Sequence, residues 1–160
     1  MALDATLTAT ALHAWKMNLD RAEKLFLGLS DEQLQKEVAP GKNRLIYLFG
    51  HLIAVHDYML PVLGLGERRH PELEDAFLTK PDRAVAQLPT REVLHQCWRD
   101  VHDALRDQFA RLTPAEWLMK HTLISDEDFA ATPLRNRLAV LLSRVAHINS
   151  HLGQAALAPK

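Results

Sequence analysis

The chain has 160 residues, 48% hydrophobic and 24% charged, and this composition predicts one globular domain over residues 1–160 with its own core. Its 19 basic and 20 acidic residues leave no net positive field, which argues against nucleic acid or a membrane as a partner. The single cysteine, Cys97, excludes an intramolecular disulfide and a cysteine-rich zinc site.

The beginning of the chain lacks the charged segment and apolar run of a secretory signal. We also expect no apolar stretch to approach the roughly 18 residues that span a bilayer. A cytoplasmic location is therefore the default expectation. Nine histidines is a high number for this length and needs an explanation.

The first predicted helix runs from about Ala5 to Leu27, because apolar residues recur there at intervals of three and four without a proline. His13 lies off this apolar stripe and is predicted to face solvent. Ser30 followed by Gln33 has the form of a capping box, which predicts one short helical turn.

The second long helix is predicted from Arg44 to about Leu63, with Asn43 as its cap. Apolar residues cover most of this helix, so it should be deeply buried, and His51 and His56 should enter an apolar environment. The two are five residues apart, a spacing that does not suit a single ion. Gly50 costs up to about 1 kcal/mol inside a helix, which predicts the close approach of another helix or a ligand.

Residues 67–89 contain three prolines and mixed charges. They are predicted to form the long connection between two helical hairpins and the rim of any pocket. A short helix is expected either around Ala76 or at residues 82–86. His70 in this connection is predicted to be exposed to solvent.

The third long helix is predicted from Arg91 to Leu112, capped by Thr90. Glu92 and His95 have the Glu-x-x-His spacing of di-iron bundles, but such sites need a second copy of the motif, and the sequence has none. His95 and His102 are interpreted as structural. Cys97 is interpreted as a packed apolar residue, because no neighbour in sequence would lower its thiol pKa.

Thr113 and Glu116 repeat the capped-turn pattern seen earlier in the chain, which makes a weak internal repeat of helix, short turn and helix. After an irregular polar stretch at 125–128, Thr132-Pro133 is predicted to start the last helix, which ends near Gly153. Four long helices with one long crossover predict an all-α protein, a four-helix bundle.

His147 and His151 are four residues apart on this last helix, so they share a face and can share a small ion. From spacing alone, two surface histidines are an equally good interpretation, because two ligands do not make a tight site. His51 lies midway along the second helix on an inward row. If the two helices face each other, three imidazoles converge.

Three neutral histidines would leave a divalent ion with its full charge and at least one open position, as in catalytic zinc sites. Such an ion can bind a thiolate or a water and lower its pKa. Zinc and nickel are the first candidates, and cobalt, manganese and iron also accept imidazole.

These residues resemble a known family. Gly50-His51-Leu52, the final His-x-x-x-His-x-Gly-Gln motif from His147 to Gln154, and the two capped turns look like the DinB/YfiT-like superfamily of metal-binding bundles over the whole chain. The resemblance implies an up-down-down-up helix order and a divalent metal held by His51, His147 and His151. It also implies relatives that couple bacillithiol, mycothiol or glutathione to electrophiles or isomerise maleylpyruvate, and many homodimers.

Three functions follow as hypotheses. The first is a metal-dependent thiol S-transferase or related detoxification enzyme acting on a small molecule, with His56, Tyr58 or His102 as candidates to orient the substrate. The second is a metal-dependent hydrolase, which lacks an obvious carboxylate base because Asp57 points away from the ligands. The third is a non-enzymatic dimeric bundle that the metal stabilises or that senses ions. The sequence assigns no catalytic residue and no thiol-binding residue.

Overall fold

The computed structural model describes residues 3–159, and this part of the chain is helical and contains no strand, so the all-α prediction is confirmed. Its α-helices are α1 (Leu3–Phe26), α2 (Asp31–Leu34), α3 (Leu45–Asp57), α4 (Met59–Val62), α5 (Arg91–Phe109), α6 (Pro114–Trp117), α7 (Asp126–Ala131) and α8 (Arg137–Ala155). The connection before α5 adds a 3-10 turn, Pro71–Leu73, and a π-helical turn, Asp75–Thr79.

The two predicted capped turns are α2 and α6. At α2, Gln33 N–H donates to Ser30 Oγ (3.2 Å) and Ser30 N–H donates to Gln33 Oε1 (2.9 Å). At α6, Glu116 N–H donates to Thr113 Oγ1 (3.3 Å) and Thr113 N–H donates to Glu116 Oε2 (2.7 Å). Both capping boxes are therefore confirmed, and each closes the turn that follows a long helix.

The start of α3 is capped from a distance, and the prediction of Asn43 as the cap was wrong. The N-cap position is Arg44, and its own side chain gives no cap hydrogen bond. Asp82 instead accepts the Arg44 N–H (2.8 Å) and pairs with the guanidinium (2.7 Å). The Asp82 carboxylate, from the long connection, therefore accepts at the start of α3 in place of the predicted Asn43 side chain.

The start of the last helix was also predicted wrongly. The polar stretch expected to be irregular forms α7, where Asp128 N–H donates to Ser125 Oγ (3.0 Å). α8 begins only at Arg137, whose N–H donates to Met119 O (2.9 Å), so tertiary pairing fixes the start. Leu134, which lies inside the predicted helix, precedes α8 in the structure and is 80% exposed.

Buried apolar side chains form one cluster that the long helices share. α1 packs along α8, and α3 packs against both α5 and α8. The largest fully buried side chains are aromatic, and the stacked rings of Phe26 and Phe49 (centroids 5.2 Å apart) join α1 to α3.

α3 and α8 run in opposite directions along their shared seam. At one end, His51 lies beside His147 and His151. Past the other end, at the turn after α4, a Cβ on Gly64 would lie 3.4 Å from the Arg137 guanidinium. Residues that follow His51 in the chain therefore face residues that precede His147.

Residues Leu45–Val62 make an 18-residue segment with a mean hydropathy of 1.4, long and apolar enough by composition to cross a membrane. The expectation that no stretch approaches this length was therefore wrong. In the structure, 78% of the segment is buried inside the protein, as in the core helix of a soluble protein.

Candidate metal centre

Three imidazoles from two helices converge on one point. His147 Nε2 lies 3.2 Å from His51 Nε2 and 3.0 Å from His151 Nε2. The ring atoms that the three residues can offer as ligands all lie within 4.8 Å of one another. The structure thus brings together the three histidines predicted as metal ligands, and each is only partly buried.

The His51 ring is held by the backbone of the connection. Its Nδ1 lies 2.8 Å from the carbonyl oxygen of Phe77, in the π-helical turn. A carbonyl only accepts hydrogen bonds, so Nδ1 carries the proton of the neutral ring and Nε2 keeps its lone pair. The lone pair is therefore on the nitrogen that faces the other two imidazoles.

The His151 ring is held in the same way by a side chain one turn further along α8. Its Nδ1 donates to Gln154 Oε1 at 2.8 Å, which leaves Nε2 unprotonated and facing His147. Hydrogen bonds of this kind fix the tautomer and the ring orientation of metal-binding histidines. Two of the three imidazoles are thus fixed with their lone pairs aimed at the same place.

His147 lies between them. Burial first, then the neighbouring His151, His51 and Arg144, lower the pKa of His147 to about 4. The pKa of His151 is lowered as well, mainly by burial, against the opposing effect of Gln154. His147 and His151 are therefore neutral at physiological pH, the form that binds a metal ion.

The spacing of the nitrogens suits a small divalent ion. Metal–nitrogen bonds of about 2.0–2.1 Å in a tetrahedron place two nitrogens about 3.3 Å apart, close to the observed 3.0 and 3.2 Å. Among residues 3–159, no carboxylate or thiol joins the three nitrogens at this spacing. An ion held here would keep its full charge and an open position.

The fold and site define a class: a helical protein in which three histidines from two helices can hold a metal ion. The sequence pattern of the DinB superfamily matches residues 14–155. The chain therefore belongs to the DinB superfamily, and the resemblance seen in its motifs is confirmed. No curated protein matches the chain at a significant level.

An apolar cleft of about 150 Å³ lies along the α3–α8 seam, and its wall is formed by Val55, Met59, Val62, Leu78 and Val140, together with Tyr58 and Arg144. Each segment that builds the histidine cluster also contributes to the cleft. Val55 follows His51 by one turn, Leu78 follows Phe77, and Arg144 precedes His147 by one turn. The expectation that the long connection forms part of a pocket rim fits the position of Leu78.

Two other histidines form a buried pair in the core. His56 Nδ1 lies 2.8 Å from His102 Nε2, and His102 Nδ1 donates to the Trp98 carbonyl (2.7 Å). His102 Nε2 therefore accepts from His56, and the second nitrogen of His56 is buried without a partner among the described residues. Burial lowers the pKa of His102 to about 3, so both rings pack as neutral groups.

Asp57 is fully buried and already bonded. It accepts the N–H groups of Arg69 (2.7 Å) and His70 (3.0 Å) and pairs with the Arg68 guanidinium (3.2 Å). The carboxylate fixes the chain after α4. It therefore points away from the three histidines, as the sequence indicated.

Two further histidines, His13 and His70, and the cysteine lie away from the three-histidine cluster. His13 is exposed, as predicted. The prediction that His70 is exposed was wrong, since its side chain is only 17% exposed and contacts Glu72 (2.9 Å) and Cys97 (3.5 Å). Cys97 is 3% exposed, and burial with nearby acids raises the pKa of its thiol to about 11, which fits the interpretation as a packed residue.

Sequence reasoning missed the groups that surround the ligands. The Phe77 carbonyl lies 26 residues from His51 in the chain, so no local pattern connects them. Gly50 was the one signal, since it predicted a close approach, and the ring of Phe77 is what approaches. Arg144 carried no signal, because an arginine on a helix is ordinarily a surface residue.

Proposed function

We propose that this protein is a divalent-metal-dependent enzyme that acts on small molecules, most specifically a thiol S-transferase. The observation that carries the proposal is the convergence of three Nε2 atoms next to an apolar cleft, with no carboxylate or thiol from residues 3–159 beside them. A divalent cation bound there would lower the pKa of a thiol or water placed in its open position.

The chain's own residues support this chemistry in two ways. The Phe77 carbonyl and Gln154 hold two imidazoles with their lone pairs in place. The apolar walls of the cleft make the space beside the site less polar than bulk water, which strengthens the electrostatic attraction between a cation and a thiolate. A soft, weakly hydrated thiolate is better suited to such a space than hydroxide.

The hydrolase is the weaker alternative. Hydrolysis with an activated water ordinarily uses a carboxylate or imidazole base within hydrogen-bond reach. Asp57 is occupied by Arg68, Arg69 and His70. A metal-binding bundle without enzymatic activity is the other alternative, and the adjoining cleft favours the enzyme over it.

We also propose the up-down-down-up four-helix arrangement that the family resemblance implies. The pairs Phe26–Phe49 and Trp15–His56 indicate that α1 and α3 run in opposite directions. The contacts of Phe49 with Trp98 and of His56 with His102 indicate that α3 and α5 run in the same direction. A cytoplasmic homodimer of this bundle remains part of the proposal.

Metal content and thiol consumption test the function together. Untagged protein should carry one equivalent of divalent metal and should consume a low-molecular-weight thiol in the presence of an electrophile. His147→Ala should lose both properties, whereas the matched surface variant His13→Ala should keep them. Metal binding without any thiol or ester turnover would favour the non-enzymatic bundle, and ester hydrolysis without thiol consumption would favour the hydrolase.

A further inference from the structure

Arg144 is a charged side chain with no counter-charge in the part of the chain that the structure describes. It is partly buried in the wall of the cleft. Among residues 3–159 it makes no hydrogen bond and no ion pair. Burial lowers its pKa, and no carboxylate of the described residues acts in the opposite direction. Two other partly buried arginines have a carboxylate partner, since Arg44 pairs with Asp82 and Arg68 with Asp57, and a third, Arg137, donates to the Glu116 carbonyl oxygen.

An unpaired guanidinium in an apolar wall is unfavourable for folding alone. Arginine keeps its charge at any physiological pH, and removing a charge from water without a partner is costly. Side chains that break a stability rule in this way are expected where a ligand completes the interaction. The missing partner is an anion.

The position of Arg144 places that anion beside the histidine cluster. Arg144 precedes His147 by three residues and His151 by seven, so all three lie on one face of α8. Three residues correspond to about 4.5 Å along a helix axis. The guanidinium also contributes to lowering the pKa of His147, as a nearby positive charge does. One small molecule can therefore reach both the cluster and Arg144.

The chemistry of the cleft selects the kind of anion. A single guanidinium offers one fork of donors, which matches one carboxylate in a bidentate pair. The rest of the wall is mainly aliphatic, and a cleft of about 150 Å³ suits a short carbon chain. A phosphate, with about two charges, would leave one charge unpaired in an apolar space.

We propose that Arg144 is the anion-binding group of this cleft and that the molecule bound there is a short aliphatic carboxylate. This inference rests on the proposed function, because it identifies the substrate class of the same site. The carboxylate belongs either to the thiol or to the electrophile that accepts the thiol. Both sources have the same chemistry, and the experiment separates them.

The thiol is tested on cobalt-loaded protein, in which a bound thiolate adds a sulfur-to-cobalt charge-transfer band. We would titrate 3-mercaptopropionate and 3-mercaptopropionamide, which differ only in the charge of one end. If the carboxylate belongs to the thiol, the acid should bind about tenfold or more tightly than the amide. Arg144→Met should remove this preference, Arg144→Lys should keep part of it, and the exposed control Arg135→Met should leave it unchanged.

The electrophile is tested by calorimetry with crotonate and crotonamide, which contain no thiol and need no spectroscopic metal. If the carboxylate belongs to the acceptor, crotonate should show the tenfold preference and the same dependence on Arg144. A preference in neither pair, or one that survives in Arg144→Met, would overturn the proposal. A cobalt spectrum that no thiol alters would count against the transferase, while the crotonate pair would still decide the role of Arg144.

Thermal unfolding of the ligand-free variants separates binding from a structural role. Arg144→Met replaces an unpaired charge by an apolar chain of similar length, so its melting temperature should equal or exceed that of the parent. A clear fall in melting temperature would mean that Arg144 stabilises the fold, which would overturn the proposal. Added 3-mercaptopropionate or crotonate should raise the melting temperature of the parent more than that of Arg144→Met.

Discussion

The ring of Phe77 fills the space where a side chain at position 50 would begin, so Gly50 is the residue that lets the connection dock on α3. A Cβ built on Gly50 would fall well inside contact distance of three ring atoms of Phe77. The carbonyl of the same Phe77 accepts the hydrogen bond of His51. Gly50 therefore lowers the stability of the helix but allows Phe77 to approach and to orient the candidate ligand His51.

Gly50→Ala should weaken metal binding without touching a ligand. The added methyl group must displace the Phe77 ring, and the carbonyl that orients His51 moves with it. Loss of such a supporting hydrogen bond ordinarily lowers metal affinity about 10–100-fold. Competition with a chromogenic chelator would measure the change.

Gly153→Ala is the matched control, because this glycine is also helical and a Cβ there would meet no atom of residues 3–159 within 4 Å. It should leave metal affinity unchanged and should stabilise α8 by up to about 1 kcal/mol. Equal metal affinity in Gly50→Ala and the parent would show that Phe77 does not position His51.

The part of the site that the sequence predicted is the part encoded locally. His147 and His151 share a helix face because they are four residues apart, and the buried pattern of the second helix placed His51 inward. The groups that were missed, the Phe77 carbonyl and Arg144, depend on tertiary structure. A backbone carbonyl has no residue signature, and an arginine without a partner is recognisable only once its surroundings are known.

In the fold, too, the features encoded locally were predicted and those that depend on tertiary contacts were not. The capped turn that starts at Ser30 was predicted correctly because the capping box is complete within four residues. The start of α8 was predicted wrongly because Thr132-Pro133 matches the local signal for a helix start, whereas Asn136 is fixed by an isolated bridge with Lys120. Local patterns thus predicted which helices exist better than where the last one begins.

The stability of the metal-free protein should fall as the solution becomes acidic. His102 is buried with its pKa lowered to about 3, against about 6.5 in an unfolded chain. Between these values the unfolded state binds the proton and the folded state does not, so the free energy of unfolding decreases as pH falls from about 6.5. Above that pH this group contributes no pH dependence.

Urea unfolding of chelator-treated protein at several pH values between about 7 and 4 would measure this slope. His102→Gln, whose amide oxygen can still accept from His56, should make the slope shallower. His13→Gln should leave it unchanged, because His13 is exposed. A slope that is the same in all three proteins would contradict the assignment of this pH dependence to His102.

The single thiol should be unreactive in the folded protein. Burial, followed by Glu72 and Asp100, raises the pKa of Cys97 to about 11, and alkylation requires the thiolate. Iodoacetamide at about pH 8 should therefore label Cys97 at least 100-fold more slowly than a free thiol with a pKa of about 8.5. Mass spectrometry of timed samples gives the rate, and Glu72→Gln should raise it. Rapid labelling of the native protein would be inconsistent with this environment.

Asn136 should matter for α8 as a whole, because it is the buried cap of the helix that carries two of the three candidate ligands. Its Oδ1 accepts from Ala139 N–H (2.9 Å), and its Nδ2 donates to Pro133 O (3.1 Å). Asn136→Ala removes both bonds and should lower the free energy of unfolding by about 1–2 kcal/mol in urea titrations.

Ser125→Ala is the comparison for the cap of α8, since Ser125 caps α7, a six-residue helix without a buried residue. Loss of the Ser125 cap should lower the free energy of unfolding by about 0.5 kcal/mol or less, because fraying of α7 exposes no core. The distance along α8 from Asn136 to His147 is three turns, so Asn136→Ala should change metal affinity far less than Gly50→Ala does. If metal affinity fell as much in Asn136→Ala as in Gly50→Ala, the start of α8 and the ligands would respond as one unit. The effect of Gly50→Ala could then not be attributed to the loss of His51 orientation by Phe77.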